Sequence, residues 1–219
     1  GEKKFKNDGY FNGEKHKYIN RRTVAESMLW FKGTKKKEEN SPYNYSAMST
    51  YVAINYAIHK VGKDYEKLLK EIFTDHVGVK DTVHFIKVSW SPKDVKKGSQ
   101  RYTFFATSED YLRIAKTIYD DYHSDSCIGD YLRTIYDNRV DKKSKYKRET
   151  NKHSAAATYE YGGQIHFSYK GMKKRVIFAM AGYAGQEVVI DMDNKRILIV
   201  NTIDEHYNWN KIVYKVIKN

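Results

Sequence analysis

A layered α/β fold built on an antiparallel sheet flanked by helices is predicted for this 219-residue chain by three observations. Apolar residues recur at helical spacing through the middle of the sequence, alternating apolar runs separated by turn residues follow late, and an amphipathic stretch closes the chain. Helices first and a meander afterwards give layers rather than a parallel βαβ repeat. No internal repeat and no dividing linker is visible.

Residues 1–22 are polar, carry Gly9 and Gly13, and read as extended or loop structure. A short helix is expected over 23–31, ending at Gly33 before the charged turn at 35–40 and the Ser41-Pro42 punctuator. Over 46–61 the residues Ala47, Tyr51, Ile54, Ile58 and Val61 mark one helical face, closed by Gly62. A second helix carries Tyr65, Leu68, Leu69, Ile72 and Phe73 at i, i+3, i+4, i+7 and i+8, with Gly78 as its stop. Residues 83–90 alternate as a strand does. Thr107 and Asp110 make a start like a capping box for a helix with an apolar face of Tyr111, Leu112, Ala115, Ile118 and Tyr119. A further helix is expected over 128–136.

The period then changes to strands, expected over 159–169, 175–181, 187–191 and 196–201, with Asp193-Asn194 turning the last pair. Trp209, Ile212, Val213, Val216 and Ile217 form the face of the closing helix. Within the last strand, Ile197-Leu198-Ile199-Val200 is apolar at four consecutive positions, so both of its faces should be covered. Such a strand is a poor unprotected edge. Its further neighbour is expected from the N-terminal residues or from another polypeptide.

Composition narrows the function classes. The formal net charge is +13, from 31 Lys and 9 Arg against 27 acidic residues. Arg is the better reader of phosphates and bases, so this Lys-heavy balance argues against nucleic-acid recognition. The densest basic run, residues 139–153, reads as a solvated loop between structured segments. No run approaches the ~18 apolar residues of a membrane helix, and the first residues lack an apolar signal core. The single Cys127 rules out an internal disulfide and leaves the compartment open, with periplasm or cell envelope favoured over cytoplasm.

The eight His residues are scattered, with no His-Glu-x-x-His and no paired Cys. His123 and Cys127, beside Asp121 and Asp125, would converge only on a helix, and a solvent-facing turn is expected instead. No metal and no cofactor is therefore expected. Gly162-Gly163 and Gly182-x-x-Gly185 open no helix after a strand, so they make no phosphate loop.

What remains is an ordered set of Tyr and Gly motifs. Tyr43-Asn44-Tyr45-Ser46-Ala47 stands at the mouth of a long helix, Tyr161-Gly162-Gly163-Gln164 leads a strand, and residues 181–186 join two strands before Ile190-Asp191. A Tyr at a helix mouth serves as a general base when nearby cations lower its pKa. Gly beside a strand admits a substrate backbone closely, and a free strand N–H completes an oxyanion hole. Taken singly, a buried Tyr and ordinary turn glycines would look the same.

From about residue 41 to its end the chain resembles the serine β-lactamase and penicillin-binding-protein superfamily. It is most similar to the branch of 6-aminohexanoate-oligomer hydrolases and β-lactamase-related esterases. The resemblance is carried by the Tyr45-Ser46 motif, the helix from Tyr65 to Phe73 with its Gly78-Val79-x-Asp81-Thr82 exit, and residues 107–115. The Tyr-Gly-Gly-Gln strand, the Gly-x-x-Gly-Gln turn and the Asp191 hairpin complete it. It implies an acyl-enzyme hydrolase of esters or amides, in which a Ser-x-x-Lys motif supplies the acylating Ser and its activating Lys. Tyr45 would be the proton-shuttling Tyr. Tyr183, Ala184 and Gly185 would stand where the family keeps Lys-Thr-Gly, and the Gln186 N–H would be one oxyanion donor.

Ala47 sits where lactamases keep Asn, and Tyr183 replaces a cationic Lys or His, which favours an esterase- or amidase-like site over antibiotic hydrolysis. No Ser-x-x-Lys precedes Tyr45, and Ser144-Lys145-Tyr146-Lys147 matches the pattern out of order. The resemblance therefore implies a single partial domain. Residues 1–40 form its polar start, 41–158 a mainly helical part, and 159–219 the sheet and C-terminal helix. The N-terminal strands and the nucleophile helix would be missing from this chain, supplied upstream or by a second polypeptide that completes the sheet. The expected partner is a small ester or amide substrate, with nucleic acid and a membrane span not expected. The alternative is a non-catalytic relative kept for binding or scaffolding. A third possibility is polyanion binding through 139–153.

Overall fold

The computed structural model describes residues 43, 50, 53–54, 56–57, 60–81, 83–88, 101–142, 154–182, 185–201, 204 and 207–218. It divides the chain into two compact units: 1–41, 45–68 and 83–105 form one, and 42–44, 69–82 and 106–219 the other.

In the first unit, the described residues between 50 and 61 are helical, as the spacing predicts. A turn over Gly62–Asp64 leads into α1 (Tyr65–Lys70). Its two-stranded sheet pairs β1 (His84–Val88) antiparallel with β2 (Arg101–Phe105), His84 opposite Phe105 and Val88 opposite Arg101. β1 is the strand expected over 83–90, and β2 is a strand that the sequence reading did not assign.

The second unit takes up the chain where α1 runs on as a wider π-type turn, Glu71–His76. It is a mixed α/β arrangement on a six-stranded antiparallel sheet. Helices α2 (Ser108–Tyr122) and α3 (Cys127–Asp137) come first. Thr107 caps α2, its hydroxyl accepting from the Asp110 N–H at 3.2 Å, so the predicted start is the observed one. Ser126 caps α3 in the same way through the Gly129 N–H. The strands follow: β3 (Val140–Asp141), then a short helix α4 (Ser154–Ala157), β4 (Thr158–Gly162), β5 (Ile165–Tyr169), β6 (Ile177–Ala181), β7 (Glu187–Asp191) and β8 (Arg196–Val200). They pair in chain order. The closing helix α5 (Trp209–Val213) continues as a π-type turn over Tyr214–Lys218.

One strand expectation is corrected. Residues 159–169 are two strands, β4 and β5, with Gly162 opposite Ile165 and only Gly163 and Gln164 between them. Both turn residues have positive φ, 52° and 70°, the pattern of a type I′ turn whose twist matches that of the flanking strands. Further along β5, Ser168 also has positive φ (58°), and the ladder skips it and Tyr159. This irregularity aims Tyr169 at the opposite face from Phe167.

Each face of the sheet carries its own core. Ile165, Phe167, Phe178, Ile190 and Met192 pack with Ala115 and Leu132 of α2 and α3. Tyr169, Ile177, Ala179 and Val189 pack with Ala157, Val213 and Ile217. β8 divides between the two, Ile197 and Ile199 toward the first and Leu198 toward the second, and all of its residues are half-buried, so both of its faces are partly covered. Leu112, expected on the buried face of α2, is exposed instead. Among the described residues β8 ends the sheet, and no further strand pairs with it there.

Candidate functional site

The register fixes which ends of the strands lie together. Gly162 and Ile165 close the β4–β5 hairpin, His166 of β5 lies opposite Ala179 of β6, and Ala181 lies opposite Glu187, which lies opposite Val200. The Gly163-Gln164 turn and the 182–186 turn therefore stand at the same end of the sheet, about two strand spacings or ~10 Å apart. Tyr43 is at that end too. Its ring meets Tyr161 edge-on with centroids 4.9 Å apart, and both rings are buried. So the structure brings the start of the Tyr43–Ala47 motif onto the Tyr-Gly-Gly-Gln strand, although the two are more than a hundred residues apart in sequence. Tyr45, Ala47, Tyr183 and Ala184 lie outside the described residues.

Behind Tyr161 is a polar cluster that the sequence reading missed. His166 packs against the Tyr161 ring at 4.9 Å, and its Nδ1 lies 3.2 Å from Lys142 Nζ. The same ammonium donates to the Ala155 carbonyl and to Thr158 Oγ1, each at 2.6 Å. Burial first, and the Lys142 charge second, push His166 down to about 3, so it is neutral and its Nδ1 is an acceptor. A Thr hydroxyl beside a Lys amine has the look of a nucleophile and its base. Here, however, the Lys donates to three acceptors, as a protonated amine does, and Lys142, Thr158 and His166 are all no more than 6% exposed. The cluster is a clasp joining the end of β3 to α4 and the sheet.

The clasp also bears on the basic run. Of residues 139–153, Lys142 is buried in it, and Arg139 is engaged by Glu160 at 2.7 Å and the Tyr136 carbonyl at 2.6 Å. Two of the charges offered to a polyanion thus serve the fold.

The 182–186 turn is closed by the Gly182 N–H donating to the Gln186 carbonyl at 2.7 Å. Gly185 has a φ of 88° and is buried; a Cβ there would come within 2.2 Å of Trp209 Nε1 and 2.8 Å of the Asp204 carbonyl. That indole in turn donates to the Asp204 carbonyl at 2.8 Å. The close approach that Gly185 permits is taken up by Trp209. Gln186 is exposed, and Glu187 after it is buried. Nearby, the buried Tyr169 hydroxyl donates to Asn210 Oδ1; burial and the Glu187 charge raise its pKa, so it stays a neutral donor.

Elsewhere, His123 and Cys127 sit on different elements: His123 ends α2, its Nε2 3.0 Å from the Met192 carbonyl, and the exposed Cys127 begins α3. Among the described residues no three His, Cys, Asp or Glu side chains gather as a metal set, and no helix is long and apolar enough to cross a membrane. No family model, curated protein or solved structure matches the chain.

Proposed function

We propose that this chain is part of a β-lactamase-related serine hydrolase of the esterase or amidase type. The observation that supports the reading is that parts of three of its motifs stand at one end of an antiparallel sheet, while the Asp191 hairpin lies at the other. At the first end Tyr43 lies on Tyr161, and the Gly182–Gln186 turn stands beside them. The nucleophilic Ser-x-x-Lys comes from residues outside this sequence, on strands and a helix that extend the sheet beyond β8, whose apolar run suits an interior position. The Ser oxygen adds to the substrate carbonyl while its proton passes to the Lys. The Gln186 N–H supports the oxyanion, and the proton taken by the Lys passes through Tyr45 to the departing alcohol or amine. Water then cleaves the acyl-enzyme and restores the Ser. Tyr183 lines the acyl side, the close approach at Gly185 being taken by Trp209.

A fluorophosphonate or penicillin-type probe should label the complete assembly at the Ser, and Tyr45→Phe should lower labelling and turnover at least a hundredfold. Unchanged turnover in Tyr45→Phe would overturn the reading. The second reading, a non-catalytic binding or scaffolding relative, is favoured by the Trp209 indole that fills the space beside Gly185. A folded assembly that neither labels nor turns over esters or amides is the outcome it requires.

A further inference from the structure

Gln164 is an unusual residue for its position. It is the second residue of the type I′ turn, with a φ of 70°, where Gly or Asn is more comfortable. It is exposed, yet its side chain is not left to wander: the Tyr161 hydroxyl donates to its Oε1 at 2.8 Å. Tyr161 is itself held, with Tyr43 and His166 each packed against its ring at 4.9 Å. With Oε1 bound to the hydroxyl, the amide nitrogen is turned away from Tyr161 as a donor of fixed direction. It stands at the same end of the sheet as the 182–186 turn and about 10 Å from it, two strand spacings.

We infer that Gln164 is a specificity residue of the proposed site, a preset amide donor for a second acceptor on the substrate. That acceptor is a carboxylate or amide carbonyl about 10 Å from the carbonyl under attack. This rests on the hydrolase reading and adds the substrate class to it: an ester or amide with a polar far end rather than a plain acyl chain. Tyr161 is then a positioning residue, acting through Gln164.

The test compares two esters of equal chain length on the complete assembly, the mono-p-nitrophenyl ester of suberic acid and p-nitrophenyl octanoate. The intact protein should favour the suberate ester in kcat/KM. Gln164→Gly, which suits the turn, should leave the unfolding midpoint equal or higher, cut that preference about tenfold through KM, and spare the octanoate. Tyr161→Phe should lower the preference in the same direction and less steeply. Hydrolysis of both esters with a preference unmoved by Gln164→Gly overturns this inference and leaves the hydrolase reading intact. Hydrolysis of neither ester, with no labelling by the fluorophosphonate, overturns both.

Discussion

His166 is neutral in the folded chain because it is buried and faces the Lys142 ammonium, which together push it down to about 3. An unfolded His titrates near ~6.5. Above about pH 6.5 both states are neutral, and the residue adds no pH dependence. Below it the unfolded chain takes up a proton that the folded chain refuses, so stability falls with pH until about 3 and then levels. At pH 4.5 the loss is on the order of 2–3 kcal/mol. Urea unfolding at pH 7 and pH 4.5 checks this, with His166→Gln expected to flatten the difference by that amount. An equal pH dependence in the variant would show that His166 is solvated. Asp110 works in the opposite sense. Desolvation raises its pKa, but the Lys80 and Asp81 N–H groups at 2.9 and 3.0 Å and Arg113 at 2.6 Å outweigh it, and the net shift is downward. Its contribution is present above the ordinary carboxylate range and is lost as pH falls through it. Asp110→Asn keeps the shape and removes the charge, and should cost about 2 kcal/mol in denaturant unfolding at pH 7.

Elements were legible where a local signal and the period agree. The Thr107 cap, the helix expected over 128–136 and found as Cys127–Asp137, and the β7–β8 hairpin could be read because a capping hydroxyl, a helical apolar spacing or an apolar run bounded by turn residues stands next to the residues it organises. The β4–β5 hairpin was not, because Gln at a left-handed turn position is not a turn signal, and the apolar alternation runs straight through it. The Tyr43–Tyr161 contact could be anticipated only from the order of motifs. The Lys142 clasp could not be anticipated at all, since its partners lie 16 and 24 residues from Lys142 and no spacing rule joins them. The α2–α3 corner offers a test at this scale. Arg133 bridges the Tyr122 and Ser124 carbonyls at 2.6 and 2.9 Å, and Gly129 lies so close to that turn that a Cβ would sit 2.4 Å from the Asp121 and Ser124 carbonyl oxygens. Both obstacles are backbone, so no side chain can swing aside. Gly129→Ala should therefore destabilise the chain by about 3 kcal/mol, a lowered thermal midpoint being the measurement. Gly163→Ala meets only the Ile135 side chain but must also hold a φ of 52°, and should cost less, about 1–2 kcal/mol.

In the second unit, the sheet couples two cores through the same strands. Ile177 and Ala179 of β6 face the closing helix, and Phe178 between them faces α2 and α3; β7 and β8 alternate likewise. Neither core has a strand to itself, so loosening one should loosen the other through the shared backbone. Phe178 is fully buried and touches Phe167 at 5.0 Å and Tyr122 at 5.3 Å between ring centroids, which ties it to both a neighbouring strand and α2. Phe178→Ala should cost about 3–5 kcal/mol. Hydrogen exchange then separates two outcomes. If the unit is one cooperative body, amides of α2 and of α5 lose protection by similar amounts, although α5 packs on the face away from Phe178. Loss confined to α2 and α3 would mean that the closing helix and its face hold together alone. The sheet would then be a partition between two separately stable layers, and the shared-strand argument would fail.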